Sequence, residues 1–147
     1  MKYEIQIMWN SKILWRQRLK FLIDTNIFLF AIEDSKRLSK KAILLLEDES
    51  NELFLSQASL WEITIKHSIG KLQFVDGLKK TMDQGIEKLD LQMMPIRSNH
   101  IYRVSELPFH HNDPFDRLLA AQCLEEKISI ITADPIFKKY KVSGQIG

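Results

Sequence analysis

Short apolar runs alternate along this chain with longer stretches at helical spacing. Phe21-Leu22-Ile23 is the first such run, cut short by Asp24-Thr25-Asn26. Three apolar residues ended by polar, turn-forming ones read as a buried strand feeding a helix. Ile27 to Ile32 continues as a short helix, and Ser39 to Glu49 as a stronger one, with Ala42, Leu45 and Leu46 at helical spacing. Leu53-Phe54-Leu55 repeats the strand pattern and runs at once into a helix from Gln57 to Ile69, stopped at Gly70. Val75 to Leu89 reads as a helix broken or weakened at Gly85, and Leu91 to Ile96 as a third strand whose end Pro95 disturbs. Ser98 to Leu107 is another helix, His110 to Pro114 a polar turn, and Asp116 to Lys127 a strongly amphipathic helix. Ile128 to Thr132 reads as a strand, Pro135 to Tyr140 as a short helix and Lys141 to Ser143 as a last short strand.

Apolar strands separated by helices predict a parallel sheet covered on both faces, a three-layer α/β/α domain. Neither internal repeats nor low-complexity segments interrupt it. The 147 residues suit one such domain, expected over residues 20–147. Residues 1–19 lack a period and are expected to be an N-terminal extension that packs loosely or frays. The abrupt onset of pattern at Lys20 also raises the expectation that translation starts near Leu19.

Charge divides the chain the same way. Residues 1–20 carry five basic side chains against Glu4, a net of +4, which leaves the rest at −2 of the total +2. A body of that sign needs bound cations or a local basic patch to hold a polyanion. One cysteine, Cys123, excludes a disulfide framework and a cysteine-built zinc site. A reducing, cytoplasmic location is the simplest expectation. No apolar run approaches the roughly 18 residues of a membrane span.

The acidic residues carry the chemistry. In open parallel sheets, ligands bind outside the carboxyl ends of the strands. Asp24 ends the first strand and Asp134 follows a later one by two residues. Each could instead be a helix cap, and Asp134 before Pro135 has that signature. Asp116 shares a helix face with Leu119, Ala120, Cys123 and Leu124, so its carboxylate points inward and loses hydration. Asp113-Pro114-Phe115-Asp116 also reads as a cap and first helical turn, and the two readings are compatible. Glu62 sits at the edge of the stripe Ala58, Trp61, Ile65, Ile69, either aimed at the strand rim or paired with Lys66 on the surface. Four acids on one rim repel one another unless a hard divalent ion, magnesium or manganese, lies among them. The four histidines have no zinc-like spacing. His111 orients a neighbour, touches phosphate, or is merely solvated.

Four blocks in order then resemble PIN-domain ribonucleases, and most of all the VapC-like toxins of bacterial type II toxin–antitoxin pairs. They are Phe21-Leu22-Ile23-Asp24-Thr25-Asn26, the run Leu55 to Ile63 with its Trp61-Glu62-Ile63, the run His111 to Gln122, and Ile131-Thr132-Ala133-Asp134. The resemblance covers roughly Lys20 to Val142. It implies a mainly parallel sheet of about five strands between helices. It implies that Asp24, Glu62 and Asp116 bind magnesium, that Asp134 completes the cluster, that Asp113 is an accessory, and that Thr132 lies close by and holds a water. It implies a homodimer neutralised by a small antitoxin whose C-terminal segment enters or covers the groove.

The expected activity is hydrolysis of an RNA phosphodiester, with the ion lowering the pKa of a water and neutralising charge in the transition state. Asp24 and Asp116 are the first choice as ligands. Arg117, Lys66 and Lys71 are the cations expected to meet RNA, or else plain surface charges. A silent PIN-like module that binds RNA or protein is the rival, and it would lack one of the acids. A phosphoacceptor receiver domain is disfavoured, because two of the acids, Glu62 and Asp116, lie on helices.

Overall fold

The computed structural model describes residues 18–146. Expectations for residues 1–17 lie outside that range. Five parallel strands form one sheet: β1 (Lys20–Ile23), β2 (Glu52–Ser56), β3 (Gln92–Met94), β4 (Ser129–Thr132) and β5 (Gly144–Ile146), in the spatial order β3-β2-β1-β4-β5. The connections are helical. They comprise α1 (Thr25–Glu33), α2 (Lys40–Glu47), α3 (Gln57–Ser68), α4 (Leu78–Lys88), α5 (Ser98–Val104), α6 (Pro114–Glu126) and α7 (Ile136–Lys139).

Alternation along each buried strand splits the core into two layers, because successive side chains point to opposite faces. Phe21 and Ile23 pack with Leu53, Leu55 and Ile131 against Ile27, Phe28, Ala42, Ile63 and Met82. Leu22 and Ile130 face the other way, onto Leu119, Ala120, Cys123, Phe137 and Tyr140. Both faces of the sheet are therefore covered, as its near-continuous apolar strands require.

Several boundaries shift by a few residues from the sequence reading, and three of the differences have a clear physical cause. The helix expected from Val75 begins at Leu78, after Gly77 turns the chain at φ 85° as its N-cap. It is not broken at Gly85. There α4 crosses α1 so closely that a Cβ would lie 2.7 Å from Ile32 Cγ2 and 3.2 Å from the Phe28 ring. The missing side chain is a packing requirement. The last strand is Gly144–Ile146, not Lys141 to Ser143. Lys141 is in a left-handed turn at φ 62°, which delays the strand.

The order of strands fixes where chemistry can occur. From β1 the chain winds to β2 and β3 on one side, then returns to place β4 and β5 on the other. The reversal opens a crevice at the carboxyl ends of β1 and β4, the usual ligand position in such sheets. A buried polar tie sets the helices around it. Ser56 Oγ donates to Gln122 Oε1 at 2.6 Å and accepts from Ala58 N at 3.0 Å, joining the start of α3 to α6.

Candidate active site

Asp24 leaves β1 at this crevice. Its N–H still donates to Ile131 O of β4 at 3.0 Å, and its side chain is 5% exposed. It is the residue before α1, but its carboxylate makes no capping bond to that helix. It accepts instead from Thr132 Oγ1 at 2.7 Å, at the end of β4. Burial is the main force on its pKa, which is pushed up to about 7. The Thr132 bond pulls it back, and the charges of Asp116 and Asp134 push it up further.

Asp116 lies in the first turn of α6. Asp113 caps that helix, its Oδ1 accepting from Phe115 N at 2.8 Å and from Asp116 N at 3.1 Å. The cap accounts for Asp113 and leaves the Asp116 side chain free to turn toward the crevice. Its pKa rises to about 6, through burial first, then the Asp113 charge, with Glu62 adding to it and His111 opposing it. His111 Nε2 lies 3.3 Å from Asp116 Oδ2.

Glu62, on the second turn of α3, is 8% exposed, and Lys66 Nζ is 2.9 Å from its Oε2. The i, i+4 pair therefore exists, yet its acid end is buried and near enough to Asp116 to raise that group's pKa. Asp134 sits further out. It is exposed, with Oδ1 accepting from Ile136 N at 3.0 Å, while its own N–H donates to Thr132 Oγ1 at 3.0 Å. It acts as a cap for α7 and as a charge felt by Asp24.

Thr132 is thus the hinge of the cluster: buried, donating to Asp24 and accepting from Asp134. Arg117 requires a correction. It is neither a groove cation nor a surface charge, being 5% exposed. Its guanidinium donates to Pro108 O at 2.9 Å, Tyr140 Oη at 3.1 Å, and Val104 O and Leu107 O at 3.3 Å each. Phe109 stacks over it at 4.3 Å. Its donors hold three carbonyls at the end of α5 and in the α5–α6 connection, two of which, Val104 O and Pro108 O, also accept a backbone N–H, so it acts as a helix-end clamp. Lys71 is exposed after α3, and Lys66 remains at the rim through Glu62.

Tyr140 is a site neighbour that sequence reasoning missed. It is 3% exposed, with its hydroxyl 2.6 Å from His111 Nδ1. A tyrosine 29 residues from its partner, after a one-turn helix, offers no local pattern to find it by.

Hard carboxylate oxygens, two of them with pKa values raised by burial and mutual repulsion, are the donor set of a divalent cation such as magnesium. Asp24 and Asp116 fit such an ion best, since each is buried or half-buried and Asp116 acts on Asp24 directly. Among the described residues, no three of the acids, histidines or cysteine converge tightly enough to enclose an ion as they stand. Glu62 is turned to Lys66, Asp116 to His111 and Asp134 to the α7 backbone.

A PIN domain family model matches residues 21–142, and the chain belongs to the PIN domain family. Solved structures share its fold. A chain of VapBC2 from Rickettsia felis, bound to a DNA fragment from the promoter, matches with a TM-score of 0.67 at 16% identity, over 87% of this chain and 98% of that one. DNA-bound VapBC from Salmonella typhimurium gives 0.63 at 13% identity, again over 87% and 98%. VapBC-5 from Mycobacterium tuberculosis gives 0.55 at 16%, over 86% and 96%. No curated protein matches the chain in sequence. None of the described helices is long and apolar enough to cross a membrane.

Proposed function

We propose that this chain is a magnesium-dependent endoribonuclease, with manganese as an alternative ion, and the toxin of a type II toxin–antitoxin pair. The observation that carries the reading is Asp24, a buried carboxylate at the switch point of the sheet, under repulsion from Asp116 and Asp134. Such a group is costly in the absence of a cation. Family membership points the same way.

In this reading Asp24 and Asp116 hold the ion, Thr132 fixes the Asp24 carboxylate, and Asp134 acts through water. Glu62 binds a second ion or positions the attacking water. When bound, the ion supplies Lewis-acid activation and charge neutralisation at the scissile phosphate. Lys66 and Lys71 are the cations left to meet the RNA backbone, since Arg117 is engaged inside the fold. All four acids of the motif are present, so the silent-module reading lacks the missing acid it needs.

The similar folds belong to complexes named VapBC, which supports a small antitoxin as partner. A second copy of the chain is the other proposed partner. An apolar groove of about 260 Å³, lined by Trp61, Ile101, Val104, Pro114, Phe115 and Leu118, supports a protein contact beside the acidic rim.

Digestion of total RNA with and without magnesium, with new ends mapped by sequencing, tests the activity. Discrete ends that appear only with magnesium are expected. Ends that persist in excess chelator, or none with magnesium, would overturn it.

A further inference from the structure

The chain Arg117–Tyr140–His111–Asp116 has a direction, and bond counting reveals it. Arg117 Nη1 lies 3.1 Å from Tyr140 Oη, and a guanidinium only donates. The backbone N–H of His111 donates to the same oxygen at 3.3 Å. A phenol oxygen shares a lone pair with its ring and accepts less than an alcohol does, so these two bonds leave it no room for a third donor. Its one proton can then go to His111 Nδ1 at 2.6 Å or to His111 O at 3.4 Å. The shorter contact takes it. His111 Nδ1 is therefore an acceptor, and the neutral ring carries its proton on Nε2, the atom 3.3 Å from Asp116 Oδ2. The opposite tautomer would give Tyr140 Oη a third donor and turn a nitrogen lone pair toward a carboxylate.

We propose that Tyr140 is a positioning residue of the site. Its hydroxyl, oriented by Arg117, sets the tautomer of His111 so that Nε2–H donates to Asp116 Oδ2 and fixes the orientation of that carboxylate. The device needs no change of charge on His111. It resembles the outer partners of metal ligands in general, whose loss costs about 10–100-fold in affinity or activity. It rests on the reading of Asp116 as a working carboxylate of the site.

Three features agree with it. Tyr140 is almost fully buried, so water does not compete for its hydroxyl. The His110 ring packs edge-on against Tyr140 with centroids 4.9 Å apart, and the His111 ring lies 5.4 Å away. Arg117, one residue after Asp116, links the position of the tyrosine to the helix that carries the carboxylate.

The test is a long-range proton–nitrogen correlation spectrum of the histidine side chains at about pH 8, where an ordinary imidazole is neutral. His111 in the wild-type protein is expected wholly as the Nε2–H tautomer, and Tyr140→Phe is expected to give a mixture. An Nδ1–H His111 in the wild type would overturn the proposal, and so would an unchanged tautomer in a folded Tyr140→Phe. The wild-type spectrum alone decides if that variant fails to fold. In parallel, His111→Gln keeps a donor near the Nε2 position and His111→Asn does not. Manganese binding is expected to weaken about 10-fold or more in His111→Asn and Tyr140→Phe, and to recover in His111→Gln. Equal binding in all three would count against a role in positioning. The tautomer and manganese binding do not depend on nuclease activity, so absence of RNA cleavage with both as expected would sink the nuclease reading and leave the positioning of Asp116 standing.

Discussion

Thr132 Oγ1 donates to Asp24 Oδ2 at 2.7 Å, joining residues 108 apart across the ends of β1 and β4. The pairing brings together a strand whose order reverses and the one laid beside it on the return. A hydroxyl supplied by the sheet therefore holds the most buried acid of the site. The same hydroxyl accepts from Asp134 N, so one side chain organises two of the four acids.

Thr132→Ser should retain activity, and Thr132→Val should lose about 10–100-fold, as expected when the outer partner of a metal ligand is removed. The valine also leaves the Asp134 N–H without its acceptor, at a cost of about 1–3 kcal/mol if it stays dry. RNA cleavage rates and urea denaturation of both variants check the two effects separately.

Asp24→Asn should abolish cleavage and stabilise the metal-free fold at neutral pH. Asp24 has a folded pKa of about 7 and Asp116 of about 6, both above the ordinary 3.8. The folded state then binds more protons than the unfolded one between those values, so stability falls as pH rises through the window. The penalty is absent below the unfolded pKa and complete above the folded one, of the order of a few kcal/mol for Asp24. Thermal denaturation in chelator should show Asp24→Asn melting above wild type at about pH 8, with the gap narrowing by about pH 5 and closing only below about pH 3.8. Magnesium should raise the wild-type midpoint more at the higher pH, where protons compete less. Wild type that melts higher at pH 8 than its Asn variant would contradict this.

Arg117→Lys should behave as a folding defect. Lysine keeps the charge but loses the planar fork that reaches three carbonyls and a phenol. A loss of about 1–3 kcal/mol is expected, because Leu107 O loses its donor and Tyr140 Oη a bond, while Val104 O and Pro108 O keep backbone partners; urea denaturation reads it. A variant with unchanged stability and weakened RNA affinity would return Arg117 to the substrate groove.

Gly85→Ala should lower stability even though alanine is the better helix former by about 1 kcal/mol. Its methyl would meet Ile32 Cγ2 and the buried Phe28 ring inside normal contact. Overpacking of that kind costs about 1–3 kcal/mol, so it outweighs the helical gain. Thermal denaturation decides the sign.

Much of this architecture is legible in the chain itself. Phe21 to Ile23 and Leu53 to Leu55 are strands because three apolar residues between polar brakes have few alternatives. Asp113-Pro114-Phe115-Asp116 is a cap and first turn as read, since capping is local chemistry. What failed to be legible is long-range. Gly85 looks like a weak point in a helix until α1 is laid across it. Arg117 looks like a surface cation until the α5–α6 connection folds over its guanidinium. Asp24 looks as much like a cap as a site residue, and only Thr132, over a hundred residues away, separates the two. Tyr140 carries no motif at all, and its meaning comes from the atoms that the fold sets around its hydroxyl.

The central claim is that cation and proton compete for the same carboxylates. Calorimetric titration of magnesium into the metal-free protein at about pH 6.5, in two buffers of different protonation enthalpy, measures that competition directly. The account predicts release of on the order of one proton per ion bound in the wild type, and much less in Asp24→Asn. Binding without proton release, or release unchanged by the substitution, would contradict it.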